Sequence, residues 1–369
     1  MRRPLIKDNL KILDSLRGFA AIYVLIHHAR WILWEGFQEG YSLHPEKYSF
    51  FNKMLMYFFS AFKFGNEAVI FFFILSGFVI HYSVSRRIDK DGKFIVSDYL
   101  IKRVRRIYPP LIIAIVLTFV LDSIGRKLNL PIYFSHTPYP AINENIQSDL
   151  SWKTLLGNLV FVQKIYTPVW GTDGPLWSLM YEWWFYMLYI PLIILFRKNK
   201  YVVSAAVVVI WWVNVTYGAS MPLLLHSVLN LFIIWFSGLL LADVLLYTSI
   251  DIRLMPLFFL LIIVGAGASG NFPVLTAQVI LSVIITIFLY LMLTTRLFDF
   301  LKRFEKLGAF SYSLYALHMP IVCIISGFVM KAHNGYLPSH FLYVLVAIII
   351  SIIISWFLHL IGEKPFTKK

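Results

Sequence analysis

Apolar stretches long enough to cross a bilayer recur from one end of this chain to the other, and that leaves few folds open. They run roughly over 12–34, 66–84, 99–121, 176–196, 201–217, 223–247, 254–269, 272–293, 310–331 and 338–361, ten in all. Inside a bilayer every backbone N–H and C=O must be satisfied without water, so runs of this length are expected to be helices. The expected fold is all-α: a polytopic integral membrane helix bundle of about ten transmembrane helices. A composition that is 59% hydrophobic and 14% charged agrees with that class. The seventh stretch is the least regular, because Gly265, Gly267 and Gly270 crowd its end. We expect one transmembrane domain over 1–369, with no appended soluble domain, internal repeat or low-complexity tract. The first stretch is too long for a cleavable signal peptide and lacks a small-residue cleavage site.

The net charge of +14 suggests a nucleic-acid partner until its distribution is traced. Ten crossings put both termini on one side. With that side cytoplasmic, the inner segments hold Arg2, Arg3, Lys7, Arg86, Arg87, Lys102, Arg103, Arg105, Arg106, Arg197, Lys198, Lys200, Arg296, Lys302, Arg303 and the tail lysines. The outer segments carry fewer cations, offset by Glu35, Glu39, Glu46, Asp122, Glu144 and Asp149. This is the positive-inside pattern, so most of the charge sets topology and no nucleic acid is expected. The sole cysteine, Cys323, lies within a span and can form neither a disulfide framework nor a multi-thiolate site.

Two ionisable groups stand out within the first span. From Arg17 to His28 is eleven residues, about three turns, so both side chains point the same way about 16 Å apart. His27 points about 100° away from them. Ionisable groups in an apolar span are costly and are usually kept where they act on something. The plainer reading is that Arg17 snorkels to the interface and His28 packs.

Further clusters can be read against this topology. Lys102-Arg103-Val104-Arg105-Arg106 places Arg103 and Arg106 on one face at the cytoplasmic mouth, suited to an anionic ligand or to lipid headgroups. At the fourth span, Gly174-Pro175-Leu176-Trp177-Ser178-Leu179-Met180-Tyr181-Glu182 puts Ser178 and Glu182 on one face. There a carboxylate needs a cation, a histidine or a polar substrate, and a structural ion pair would also serve. Ser76-Gly77 reads as a helix-packing device. Ser311 to Pro320 begins a span with polar and aromatic residues, in which His318 either serves a site or bonds a neighbouring helix. Two long connections, 35–65 and 122–175, fall outside; the aromatics and amides of the second suit sugar contact or interfacial anchoring equally.

In sequence, the Leu16-Arg17-Gly18 to His28 helix, Phe72 to Phe78, Arg103 to Pro109, Trp177-Ser178-Leu179 with Glu182 and Phe185-Tyr186, Ser311 to Pro320, and Glu363-Lys364-Pro365-Phe366 form an ordered set. With it the chain resembles acyltransferase family 3, polytopic membrane proteins that include O-acetylases of O-antigen, exopolysaccharide and nodulation factors. The resemblance covers nearly the whole chain. It implies an acyltransferase that takes an acyl group, commonly acetyl, from cytoplasmic acyl-CoA and delivers it to a hydroxyl of a cell-envelope glycan or lipid-linked sugar. Acyl-CoA is then a substrate; no permanently bound cofactor and no metal is expected. Partners would be acyl-CoA, the glycan acceptor and membrane lipids, in a bacterial cytoplasmic membrane.

Carried onto these residues, the resemblance implies His28 as general base or transient acyl carrier and Arg17, Arg103 and Arg106 as the donor site. Glu182 would orient the histidine or grip the sugar. Asp14 would hold Arg17 in position, with Trp177, Ser178 and His318 supporting. The competing reading is a secondary transporter or exporter without covalent chemistry, since ionisable residues on membrane helices also mark substrate relays. No inverted repeat supports it.

Overall fold

A computed structural model describes residues 9–247 and 274–367. Its long helices are α1 (Leu10–Leu33), α3 (Gly65–Asp91), α4 (Val96–Lys127), α7 (Trp177–Phe196), α8 (Lys200–Tyr217), α9 (Leu223–Tyr247), α10 (Val274–Thr294), α12 (Ser311–Ala332) and α13 (Leu342–Gly362). Short helices intervene: α2 (Phe50–Ser60), α5 (Pro140–Asn145), α6 (Trp152–Leu159), α11 (Glu305–Ala309) and α14 (Lys364–Thr367). No strand forms among the described residues, only one isolated bridge between Gln163 and Thr167. Eight of these helices are long and apolar enough to cross a membrane. α1 is long enough at 24 residues but falls outside that set. Asp14, Arg17, His27 and His28 dilute its apolar run. The expected seventh span, 254–269, lies outside the described residues. The chain is therefore an all-helical, polytopic membrane protein.

The helices sort into two compact units, each assembled from segments remote in sequence. The first combines Met1–Gly18, Val69–Ile101 and Tyr181–Gly308. Here α3 and α9 cross at two glycines. A Cβ on Gly77 would come within 2.0 Å of the Trp235 carbonyl oxygen, and one on Gly238 within 1.9 Å of that of Ile74. Backbone thus meets backbone directly, which only residues without a side chain permit. Around the crossing Phe73, Phe185, Tyr189, Phe232 and Trp235 pack ring on ring, with Phe185 5.3 Å from Phe73 and Trp235 5.6 Å from Phe232. The start of α1 is tied in by polar side chains: Asn9 donates to the Leu293 carbonyl at 2.8 Å and Ser15 to that of Leu301 at 2.6 Å.

The second unit combines Phe19–Ala68, Lys102–Met180 and Ala309–Lys369. Its centre is α12, buried along almost its whole length and packed along α13. α1 joins it through Ser326, whose hydroxyl donates to the Ile32 carbonyl at 2.7 Å. The expected outer connection after α4 is folded. Asn158 donates to the carbonyls of Thr154 and Pro168 and accepts from the Trp170 amide, while Asp122 accepts from Ser148 and from both the amide and the hydroxyl of Thr172. Buried side chains here supply the bonds that a sheet or helix would otherwise give the backbone.

Candidate active site

His28, on α1 in the second unit, is paired with a second histidine remote in sequence. Its Nδ1 is 2.9 Å from Nε2 of His318 on α12, and His318 Nδ1 is 3.0 Å from the Leu314 carbonyl one turn earlier. A carbonyl only accepts, so Nδ1 of His318 carries the proton and its Nε2 is a lone pair. With both rings neutral, His28 Nδ1 must then donate to it, which leaves His28 Nε2 unprotonated. The chain carbonyl–His318–His28 holds one tautomer of His28, with its basic nitrogen facing away from the pair. His318 is fully buried, and His28 is half-buried.

His27 is otherwise engaged. Its Nδ1 donates to the Phe62 carbonyl at 2.9 Å, and its ring lies against Gly65, where a Cβ would approach to 2.5 Å. Those contacts make His27 a clamp between α1 and the start of α3.

One turn before His318, Tyr315 reaches α7. Its hydroxyl is 2.8 Å from Ser178 Oγ and 3.3 Å from the Pro175 carbonyl, and Ser178 also donates to Pro175 at 3.1 Å. Trp177, half-buried, precedes Ser178 at the first position of α7. Sequence reasoning gave Tyr315 no role; its register with His318 on α12 was the available signal.

The cationic turn of α4 divides in use. Arg106 pairs with Glu363, at the end of α13, and stacks on Tyr312 with its guanidinium carbon 4.9 Å from the ring centre. Glu363 is almost fully buried and also accepts from the Ser313 hydroxyl at 2.8 Å, its amide at 3.3 Å and His359 Nδ1 at 2.9 Å. Arg106 therefore fastens α4 to α12 and α13, whatever else it touches. Arg103, three residues earlier, is half-buried on the same face. Arg17 and Asp14 belong to the first unit, 3.5 Å apart and one turn from each other. Glu182 also belongs to the first unit, where it accepts from the Tyr186 hydroxyl and, at 3.4 Å, from Ser76.

Two further buried polar groups stand out, one around His81, which the sequence does not single out, and one at Asp173, which the sequence places at the outer end of the fourth span. In the first unit His81 contacts Tyr189 at 3.0 Å and Asp243 at 3.8 Å, with Lys200 2.8 Å from Asp243, beside a cavity of about 460 Å³. In the second, Asp173 is fully buried and neither carboxylate oxygen meets a hydrogen-bond partner. Burial, and then the charge of Asp122, pushes its carboxyl well above the usual range. Among the described residues, no group of three or more His, Cys, Asp or Glu side chains is placed to hold a metal ion.

Apolar helices long enough to cross a membrane, with a histidine pair held between α1 and α12, define a class: a polytopic helical membrane protein with ionisable groups inside its second unit. The acyltransferase domain family matches residues 10–360, nearly the whole chain, and the protein belongs to that family. No curated protein and no solved structure matches the chain.

Proposed function

We propose that the protein is an O-acyltransferase that moves an acyl group, acetyl in the first instance, from acyl-CoA to a hydroxyl of a cell-envelope glycan or lipid-linked sugar. The observation that carries this reading is the fixed lone pair of His28 Nε2. In an acyl transfer the acceptor hydroxyl is too weak a nucleophile unaided, and a base removes its proton as it attacks the thioester carbonyl. His28 takes that proton; the carbon–sulfur bond breaks as the ester forms, and the proton returns to the coenzyme A thiolate. While His28 is an imidazolium, its Nδ1–H bond to His318 becomes charge-assisted and strengthens. His318 thus helps where charge develops, as a positioning residue.

The donor's phosphates call for guanidinium groups, and Arg103 is the α4 cation we assign to them, with Arg106 beside it already half committed to Glu363. Arg17 keeps the donor role that the family likeness suggests, and Glu182 that of gripping acceptor hydroxyls. The positive-inside pattern supports a cytoplasmic N-terminus and, for an envelope glycan, a bacterial cytoplasmic membrane.

The test is transfer of labelled acetyl from acetyl-CoA to endogenous glycan in membranes holding the protein, with other acyl-CoAs tried in parallel. Label on glycan with stoichiometric release of coenzyme A is expected. Uptake of a substrate without any covalent transfer would replace this reading with a transporter.

A further inference from the structure

The connection 34–64 leaves the end of α1 and returns to the start of α3, and it contains a helix with two apolar faces. On one face of α2 Met56 and Phe59 are buried, and the Phe59 ring stacks on Phe341 at 3.9 Å. On the opposite side Phe50, Phe51, Met54, Tyr57 and Phe58 fall within an arc of about 120° at helical spacing. They are 79, 66, 56, 61 and 63% exposed. In water, five adjoining large apolar side chains would be a liability.

Two observations say what covers them. The first is depth. Tyr23 donates to the Ala61 carbonyl at 2.6 Å and accepts from the Phe64 amide at 3.2 Å, while His27 donates to the Phe62 carbonyl. Tyr23 and His27 lie ten and six residues before the end of α1, about 15 and 9 Å along its axis. Taken as the first crossing, as its sequence is read above, α1 is about 36 Å long against an apolar core of about 30 Å. Even if all the excess protruded at this end, the turn after α2 would meet Tyr23 about 9 Å inside the core. The second is saturation. The carbonyls at the end of a helix normally turn to water, but here Ala61 and Phe62 turn to a phenol and an imidazole, as an anhydrous setting demands.

We propose that α2 is a lipid-immersed helix whose Phe50, Phe51, Met54, Tyr57 and Phe58 face seats among bilayer acyl chains. The occupant of this face is lipid, neither water nor a second protein. The proposal rests on the membrane fold and not on the assigned chemistry.

Single cysteines at 50, 54 and 58, each carrying a nitroxide, test it in vesicles of phosphatidylethanolamine and phosphatidylglycerol. Cys323 is buried, and the chain without an added cysteine serves as the blank. Label at Ile349, exposed on the apolar helix α13, gives the lipid reference, and label at Glu144 the aqueous one. The expected result is high accessibility to oxygen and low accessibility to a nickel chelate at all three positions, as at 349. Accessibility to nickel like that at 144 would place the face in water and overturn the proposal. Shielding from both relaxers would mean that protein covers it, which overturns it equally. The three positions are read independently, so a variant that fails to insert does not decide the outcome.

Discussion

Replacing His318 probes the histidine pair without touching the proposed base. In wild type, Nε2 of His318 accepts from His28 Nδ1 at 2.9 Å, and this bond is the one that strengthens when His28 takes a proton. A hydrogen bond to a charged group contributes about 1.5–3 kcal/mol, which is roughly a 10- to 150-fold effect on rate. Loss of the base itself should cost more, about 10²–10⁴-fold. His318→Ala is therefore expected to lower kcat by roughly one to two orders of magnitude, with KM for acyl-CoA little changed. His318→Asn supplies a donor to Leu314 but nothing at the Nε2 position, and should resemble alanine. His318→Gln can place its amide oxygen near that position and should recover much of the activity. Steady-state kinetics on detergent-purified protein, with thermal unfolding run beside it, separates this from simple loss of packing. Equal kcat for the glutamine and asparagine variants, or a change confined to KM, would refute the tautomer argument.

Other expectations follow from the same contacts. Glu363→Ala strips the buried partner from Arg106, His359 and Ser313 and should destabilise the protein by about 3–5 kcal/mol in detergent unfolding, whereas Glu363→Gln, which keeps the shape, should cost less. Asp173 holds its proton more tightly folded than unfolded, so its contribution to stability is present below about pH 4 and is lost as pH rises through its raised folded value. Asp173→Asn should flatten that fall, visible as a wild-type minus variant difference in Tm that changes with pH. Gly77→Ala forces a methyl against the Trp235 carbonyl and should cost about 1–3 kcal/mol, read from loss of folded protein on heating.

The helical architecture was legible because apolar length is a local property of the sequence, and the 3.6-residue period was enough to point His27 and His28 in different directions, where they meet different partners. Partners across the chain were not. Arg106 and Glu363 lie 257 residues apart and His28 and His318 lie 290 apart, and no spacing rule connects them. His318 reads from the sequence as either a site residue or a bond to a neighbouring helix; the structure shows the bond, to His28 on α1, and the site role is part of the proposal. Arg106 read as a ligand cation from its neighbours in sequence alone, and its structural pairing became visible only through α13. The 35–65 segment reads as an outer connection; α2, at eleven residues, is too short to span a bilayer and gives no membrane signal in the sequence.

The most direct test of the central claim compares His28→Ala with His27→Ala for acetyl transfer from acetyl-CoA to glycan. His28→Ala should lose about 10²–10⁴-fold in rate while remaining folded. His27→Ala, which removes a clamp and not the base, should keep a rate close to wild type in whatever fraction folds. Equal rates per folded molecule in both variants would remove His28 from the centre of the chemistry.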